Sequence, residues 1–229
     1  MSGVNAQYNV AAPDSLPVRI AAHQRRKMYA ALLAAFPPTA EQTVVDVGVT
    51  SDRSYDHSNY LVAWYPHKAR VTAVGLDDAR FLETEHPGVR FVQADGRDLP
   101  FEANSYDVAH SSAVLEHVGH AAQQTQFLRE LWRVARRGIF VTTPNRWFPV
   151  EFHTVLPLIH WLPKTAFRRA LRMMGRAFFA EESNLNLLGA RDLCRLASDA
   201  GLQNVTITSV SLGGWPTNLL LTARKHVAG

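Results

Sequence analysis

Short apolar runs alternate with amphipathic stretches along the chain, and this alternation is typical of an α/β domain. The runs are rich in β-branched residues and end near Gly, Asp or Pro, as buried strands do. Between them apolar residues recur at helical spacing, for example at Phe127, Leu131 and Val134. Strands that alternate with helices favour a parallel, doubly wound sheet. Five strands are predicted in this way, at 43–47, 70–76, 89–95, 106–112 and 139–144.

Helices are predicted around these strands, and two late strands complete the pattern. Pro37 and Pro38 close the first helix, which we expect to cover one edge of the sheet. The late strands, 204–210 and 217–225, have a short connection that contains Gly213 and Gly214, so an antiparallel addition at one edge is expected. The predicted helices cover 15–36, 54–66, 78–86, 121–137 and 189–201.

The alternation breaks at Asn145, where a segment rich in aromatic residues, proline and arginine begins. We therefore expect one α/β domain with a lid insertion and no internal repeat. The predicted divisions are an N-terminal leader and helix at 1–42, the first part of the α/β domain at 43–145, the lid at 146–188 and the rest of the α/β domain at 189–229.

The composition favours a folded domain and limits the classes of binding partner. Of the 229 residues, 47% are hydrophobic and 19% are charged. The hydrophobic fraction is sufficient for a large core. The net charge of +4 is mild for a nucleic-acid binder, and basic residues cluster at 25–27 and 164–176, so an anionic lipid surface is the better candidate.

The single cysteine and the absence of long apolar runs bear on the cellular compartment of the protein. Cys194 is the single cysteine, so an internal disulfide is excluded and a reducing cytoplasm is the simplest interpretation. We expect Cys194 to be a small core residue of its helix. The first residues do not have the pattern of a secretory signal, and a spanning helix is not expected.

The loop after the first strand is unusual. Asp46 lies inside an apolar run and Gly48 begins a turn. Asp46 can simply end a strand, but packing explains a buried acid poorly, so we favour a functional role. Such a loop usually holds a nucleotide-like ligand at the carboxyl edge of the sheet, with several glycines. Here Thr50 and Asp52 stand where further glycines are expected.

These motifs resemble the class I S-adenosylmethionine-dependent methyltransferase superfamily over roughly 43–225. The resemblance rests on the blocks VVDVGV, VTAVGLDD, VRFVQADGRDLPFEANSYDVAHSSAVLEHV and FLRELWRVARRGIFVTTPN. The third block looks like the branch that includes quinone methyltransferases. The resemblance implies a Rossmann-like, mostly parallel seven-stranded sheet with a reversed last strand, and binding of S-adenosylmethionine by 43–145.

The resemblance also implies roles for particular residues. Asp46 and Gly48 would meet the methionine part of S-adenosylmethionine, in a loop that includes Thr50. Asp95 would bond the adenine amino group, and Gly96 would offer backbone beside it.

On the reacting side of the site, the resemblance implies Ser111, Glu116 and His117. His117 is suited to act as a general base near neutral pH. It can equally cap the turn after the fourth strand.

Two departures from the superfamily pattern put ordinary methyl transfer in question. The loop Asp46-Val47-Gly48-Val49-Thr50-Ser51-Asp52 has only the first glycine of the motif. The superfamily's ribose-binding acid ends the second strand, where this chain has Gly75, with Asp77 and Asp78 following. We expect Asp77 to take part in cofactor binding.

The altered loop, with SSAVLEHV and TTPNRWFPVEFH, resembles the rhodoquinone-biosynthesis proteins. That resemblance implies transfer of the amino group of S-adenosylmethionine to ubiquinone in place of a methoxy group, with Mn(II) as a Lewis acid. The expected substrate is therefore a lipophilic membrane quinone, and the expected location is cytoplasmic, peripheral on the inner membrane face.

The lid sequence fits such a substrate. Pro149, Pro157 and Pro163 prevent one long helix, and the second half can be helical with Phe167, Leu171 and Met174 on one face. A helix with an apolar and a basic side can lie in a membrane interface. The alternative is a cap that packs its apolar side on the sheet.

Candidate ligands for a divalent metal are numerous, and the sequence does not choose among them. One group lies in the loop after the first strand, and the others follow later strands or lie in the lid. They are Asp52, Asp56, His57, Asp77, Asp78, Glu116, His117 and His153.

Three functions follow from these observations. The first is an S-adenosylmethionine-dependent transferase that acts on a membrane quinone by amino transfer. The second is ordinary methyl transfer to a lipid-linked or phenolic acceptor. The third is a binding subunit without catalytic activity, because a bulkier loop can close the cofactor site.

Overall fold

The computed structural model describes residues 15–53 and 57–226, and its strands form one seven-stranded sheet. The strand order is β3-β2-β1-β4-β5-β7-β6. β7 is antiparallel to both of its neighbours, and the other pairs are parallel. This confirms the predicted α/β sheet with its reversed last strand. The strands are β1 Val44–Val47, β2 Val71–Gly75, β3 Arg90–Gln93, β4 Tyr106–Ser112, β5 Ala135–Pro144, β6 Thr206–Leu212 and β7 Trp215–Arg224.

Helices cover both faces of the sheet, as the alternation predicts. α1 begins after Ser15, whose side chain makes no capping hydrogen bond, and ends before Pro37. α1 packs over β6 and β7, beside the sheet edge that β6 forms. The helices are α1 Leu16–Ala35, α2 Tyr60–Trp64, α3 Phe81–Glu85, α4 Ala121–Val134, α5 Lys164–Met173, α6 Ala177–Ala180 and α7 Ala190–Asp199.

The core lies in two layers on opposite faces of the sheet. Val45 packs with Phe127 of α4 and Leu193 of α7, whereas Val44 packs with Leu32 of α1 on the other face. Neighbouring strand residues point to opposite faces, which produces this division. Cys194 is exposed, so the expectation that it belongs to the core is wrong.

The boundary between α4 and β5 also differs from the prediction. The sequence favours a helix to 137, but α4 ends at Val134 and β5 begins at Ala135, which pairs with Tyr106. Arg136 forms an ion pair with Asp107 of β4, with 2.6 Å between Nη2 and Oδ1. Pairing with β4 therefore overrides the helix propensity of these residues.

The lid leaves the sheet at Asn145 and returns at Leu188, and a bridge joins these two residues. It has an apolar cluster of its own, which includes Phe167, Leu171 and Phe179. Met174 was expected on the same face but is half exposed, because α5 ends at Met173 and the chain turns there. Within residues 15–53 and 57–226, no helix is both long and apolar enough to cross a membrane.

Candidate functional site

A cavity of about 450 Å³ opens at the carboxyl ends of the parallel strands. Loops that follow β1, β2, β3 and β4 form its floor, and α1 and the lid form its walls. This is where ligands bind in open α/β sheets. Its principal polar or small lining residues are Gln24, Arg25, Gly48, Thr50, Gly75, Asp95, Gly96, Ser112, His117 and His153.

Side-chain hydrogen bonds hold the loop after β1. The backbone N–H of Thr50 donates to Asn59 Oδ1 at 2.9 Å, and the Asn59 side chain donates to the Thr50 carbonyl at 3.0 Å. The N–H of Asp52 donates to Thr50 Oγ1 at 3.0 Å. The loop is thus tied to the start of α2 without the usual glycines, and the Thr50 amide already has a partner.

Gly48 is required by its surroundings. Its φ is +99°, and a Cβ there would lie 2.1 Å from Val114 Cγ2. An L side chain there would therefore require Val114 to move and would also be strained at this positive φ. The single glycine of the motif is therefore the one that this loop needs.

Asp46 is buried in β1, and its carboxylate is engaged inside the protein. His110 Nδ1 lies 2.6 Å from Asp46 Oδ1, and His110 Nε2 lies 2.9 Å from the Tyr60 hydroxyl. Burial raises the pKa of Tyr60 above its ordinary value. Asp46 borders a small cleft beside β1 and does not line the large cavity. Contact between Asp46 and a cofactor therefore stays a prediction.

Asp95 and Gly96 follow β3 and line the cavity. Arg97 holds the Asp95 carboxylate, with 2.6 Å between Nη2 and Oδ2, and this pairing lowers the pKa of Asp95. A Cβ at Gly96 would lie 2.4 Å from Phe127 Cε2, so the glycine lets α4 approach the loop. Phe127 also lines the cavity, although the sequence indicated only a core position for it.

The loop after β2 contacts the loop after β1. Ser51 Oγ donates to Asp77 Oδ2 at 3.2 Å. Gly75 and Leu76 line the cavity, whereas Asp77 is not among its lining residues. A Cβ at Gly75 would lie 2.7 Å from the Val49 carbonyl oxygen. The backbone of the altered loop thus occupies the place that an acid at Gly75 would need.

Of the two serines at the end of β4, the one that lines the cavity is Ser112, not the predicted Ser111. Ser111 is fully buried, and its hydroxyl has no hydrogen-bond partner among the described residues. Ser112 Oγ lies 2.8 Å from Thr142 Oγ1 of β5. The strand alternation explains the difference, since adjacent residues point to opposite faces.

Glu116 and His117 lie in a short 3₁₀ turn after β4. Glu116 is fully buried, and Thr143 Oγ1 donates to its Oε2 at 2.9 Å. His117 lines the cavity, and its Nε2 is 2.9 Å from Nε2 of His153 in the lid. Glu151 Oε1 lies 2.7 Å from His153 Nδ1. The lid thus contributes a histidine and a second carboxylate to this end of the cavity.

The buried groups near His117 have perturbed pKa values. Burial and the neighbouring His153 lower the pKa of His117 to about 3, so His117 is a weak base near neutral pH. Burial alone would lower the pKa of His153, but the Glu151 carboxylate raises it. Burial also raises the pKa of Glu116.

Among the described residues, the donor atoms of Glu116, His117 and His153 converge closely enough to hold a metal ion, within 4.8 Å of one another. Asp52, His57, Asp77 and Asp78 form no such group in the described part of the chain. Asp56 and the leader at 1–14 lie outside the described residues.

α1 supplies cavity residues that sequence reasoning missed. Gln24, Arg25 and Met28 line the cavity. The only available sequence signal was the amphipathic pattern of α1, which indicates that a face is covered but does not say what it covers.

Comparison with known proteins agrees with this geometry. Residues 46–142 match the family described as methyltransferase domain. No protein of curated function matches the sequence. Solved structures share the fold at low sequence identity, which shows the fold alone.

A methyltransferase from Methanosarcina mazei is 15% identical with a TM-score of 0.53, covering 82% of this chain and 94% of that one. A putative methyltransferase from Haloferax volcanii, solved with a methyltransferase activator, is 15% identical with a TM-score of 0.58, covering 93% and 95%. Phosphoethanolamine N-methyltransferase 2 from Haemonchus contortus, solved with S-adenosyl-L-methionine, is 14% identical with a TM-score of 0.57, covering 87% and 52%. Residues 46–142 thus match a methyltransferase domain, and the chain as a whole shares its fold with these solved methyltransferases.

Proposed function

We propose that this protein is an S-adenosylmethionine-dependent transferase whose acceptor is a lipophilic molecule taken from a membrane surface. One observation carries the proposal: a single cavity joins the cofactor motifs to the lid. Gly48, Asp95 and Gly96 line its sheet side, and Phe152 and His153 line its lid side. Its volume of about 450 Å³ is within the usual range for small-molecule sites.

The sheet side of the cavity is suited to the cofactor. We assign the Asp95 loop to the adenine end, because an ionised carboxylate accepts hydrogen bonds and the Phe127 ring supplies an apolar surface. Gly48 is assigned to the methionine end. Methyl transfer then depends chiefly on holding the acceptor in line with the sulfonium methyl group, which a cavity continuous with the lid allows.

The surface of the lid supports a membrane source for the acceptor. Leu158 and Met173 expose 50% and 80% of their surface, and Trp147 exposes 51%. Arg169 and Arg172 of α5 are exposed, Met173 directly follows Arg172 in the sequence, and Arg172 forms an ion pair with Glu181. Apolar residues beside arginines favour an interface with anionic lipid, such as the cytoplasmic face of the inner membrane.

Amino transfer to a membrane quinone is the second candidate. The position of Asp46 favours it, because the acid expected to meet the methionine end of the cofactor contacts His110 and does not line the large cavity, whereas Asp95 does line it. After loss of a proton, the amino group of the cofactor would then be available to form a bond to the ring carbon as the methoxy group leaves as methanol. Elimination that breaks the bond between the amino nitrogen and the cofactor's α-carbon would release the product. In this form the product is an aminoquinone of the rhodoquinone type.

One labelling experiment tests the proposal. The purified protein is incubated with S-adenosylmethionine labelled in both the methyl carbon and the amino nitrogen, together with membrane lipid extract or ubiquinone, and products are identified by mass spectrometry. Methyl label in a lipid product supports methyl transfer, and nitrogen label supports the second candidate. Failure of the folded protein to label any lipid, with or without added divalent metal ions, would contradict both.

Calorimetry separates an enzyme from a binding subunit without activity. We expect S-adenosylmethionine to bind, and Asp95→Ala to weaken binding about tenfold or more through loss of a charged acceptor. Glu41→Ala, at an exposed acid outside the cavity, is the matched control. A wild-type protein that does not bind the cofactor would favour the binding subunit.

Membrane binding is tested by sedimentation with anionic and zwitterionic vesicles. We expect a preference for anionic vesicles, and weaker binding for the double variant Leu158→Ser with Met173→Ser. Val205→Ser is the control, because Val205 is an exposed apolar residue outside the lid. Equal binding of the two vesicle types, or full binding by the double variant, would contradict docking through the lid.

A further inference from the structure

The imidazoles of His117 and His153 have their remaining ring nitrogens fixed by acceptors. His117 Nδ1 lies 2.7 Å from the Asn184 carbonyl oxygen, and His153 Nδ1 lies 2.7 Å from Glu151 Oε1. A carbonyl and an ionised carboxylate only accept hydrogen bonds, so both Nδ1 atoms carry the proton. Both Nε2 atoms then present lone pairs when the rings are neutral. At 2.9 Å these lone pairs repel unless a cation lies between or beside them.

Glu116 provides a second, independent observation. Its side chain has no exposed surface, and its Oε1 has no hydrogen-bond partner among the described residues. That oxygen lies 3.9 Å from His117 Nε2. A buried carboxylate oxygen without a partner is unfavourable by itself, and a cation at this point would satisfy it.

We propose that Glu116, His117 and His153 form a binding site for a divalent first-row transition metal ion, and that Glu151 and the Asn184 carbonyl orient the two imidazoles. Two imidazole nitrogens and one carboxylate oxygen are a donor set that such ions accept. Hydrogen bonds from the second imidazole nitrogen to a carboxylate or backbone carbonyl are the usual support for histidine ligands.

The spacing of the donor atoms fits an ion. Two nitrogen ligands about 2.0–2.1 Å from a metal, at an angle between about 90° and 110°, are about 2.9–3.4 Å apart. The two Nε2 atoms already have this spacing. Glu116 Oε1 needs to approach His117 Nε2 by roughly 0.5–1 Å, which is a small side-chain movement.

The proposed ion lies at the cavity, because His117 and His153 both line it. Three protein ligands leave coordination positions open, as in catalytic metal sites. An oxygen atom of an acceptor can fill one of them. Binding of the ion itself requires neither cofactor nor acceptor, so the inference stands apart from the proposed function.

A metal titration of the full-length protein tests the site. After removal of bound metal with a chelator, Co(II) is added and its visible absorption bands are followed, and Zn(II) is added in competition. We expect saturable binding at one site. Glu116→Gln and His153→Gln should abolish it, Glu151→Gln should weaken it by about 10- to 100-fold, and His23→Ala, at an exposed position of α1, should bind like the wild type.

Two results would overturn the metal site. One is a folded wild-type protein, verified by circular dichroism, that shows no Co(II) bands and no saturable Zn(II) binding. In that case a proton joins the two imidazoles. The other is full metal affinity in both Glu116→Gln and His153→Gln, which would place the ion elsewhere. The wild-type titration decides the question even if a variant fails to fold.

Discussion

Gly75 ends β2, where the superfamily's ribose-binding acid is expected, and the structure gives a steric reason for the glycine. A Cβ there would lie 2.7 Å from the Val49 carbonyl oxygen and 3.2 Å from Val49 Cγ2. The first contact is with backbone, in a segment whose N–H donates to the Val74 carbonyl at 3.0 Å. Relief of this steric clash therefore requires movement of the loop backbone, because rotation of a side chain is not enough.

We expect Gly75→Asp to lower the free energy of unfolding by about 1–3 kcal/mol, the usual range for overpacking. For a chain of this size each kcal/mol corresponds to about 2–4 °C, so the Tm should fall by about 2–12 °C. Thermal unfolding followed by circular dichroism measures this change. Calorimetry with S-adenosylmethionine measures cofactor affinity in parallel, and we expect no gain from the added acid.

Gly75→Ala is the matched control, because it adds the same Cβ without the carboxylate. If the contact with Val49 is the cause, the two variants should lose similar stability. The steric explanation would be refuted if Gly75→Asp unfolded at the wild-type temperature and bound the cofactor more tightly.

Three further changes test the packing and the buried polar contacts. Burial alone would raise the pKa of Asp107, but hydrogen bonds from the Thr43 backbone and then from Arg136 outweigh burial and lower the pKa below the ordinary 3.8, so its stabilisation is present above pH 3.8 and is lost as the pH falls through the lower folded value. Asp107→Asn should flatten that loss in acid unfolding curves, and an unchanged slope would contradict this explanation. Tyr60→Phe removes the hydroxyl that contacts the buried His110 Nε2 and should lower the free energy of unfolding, measured with urea, by about 1–3 kcal/mol. An unchanged free energy of unfolding would contradict the contact. Leu131→Ala leaves a cavity at a fully buried position of α4 and should lower the free energy of unfolding by about 2–5 kcal/mol in the same assay. A loss below about 1 kcal/mol would contradict the packing of Leu131.

The sequence was sufficient for the order of elements and the two-layer core. β-branched runs such as Val44–Val47 need burial on both faces, and the recurrence of Phe127 and Leu131 at helical spacing places α4 on one of them. The short glycine connection before Trp215 indicated the antiparallel β7. These features follow from local periodicity and turn chemistry, which the chain carries residue by residue.

The sequence also located much of the cavity, because loops after parallel strands meet at one sheet edge. Gly48, Thr50, Asp95, Gly96 and His117 all line it. Their roles toward a cofactor stay predictions. Their meeting at one edge follows from topology alone.

Tertiary structure decided what each side chain contacts. Asp46 meets His110, which is 64 residues away in sequence, and His117 meets His153 across 36 residues. The sequence placed His153 among several possible ligands, but only the return of the lid over the end of β4 brings it to His117. Pairing with β4 likewise ended α4 at Val134 against local propensity. Contacts between distant segments depend on packing and on which face of a strand each residue takes, and the sequence pattern alone does not specify which side chains will meet.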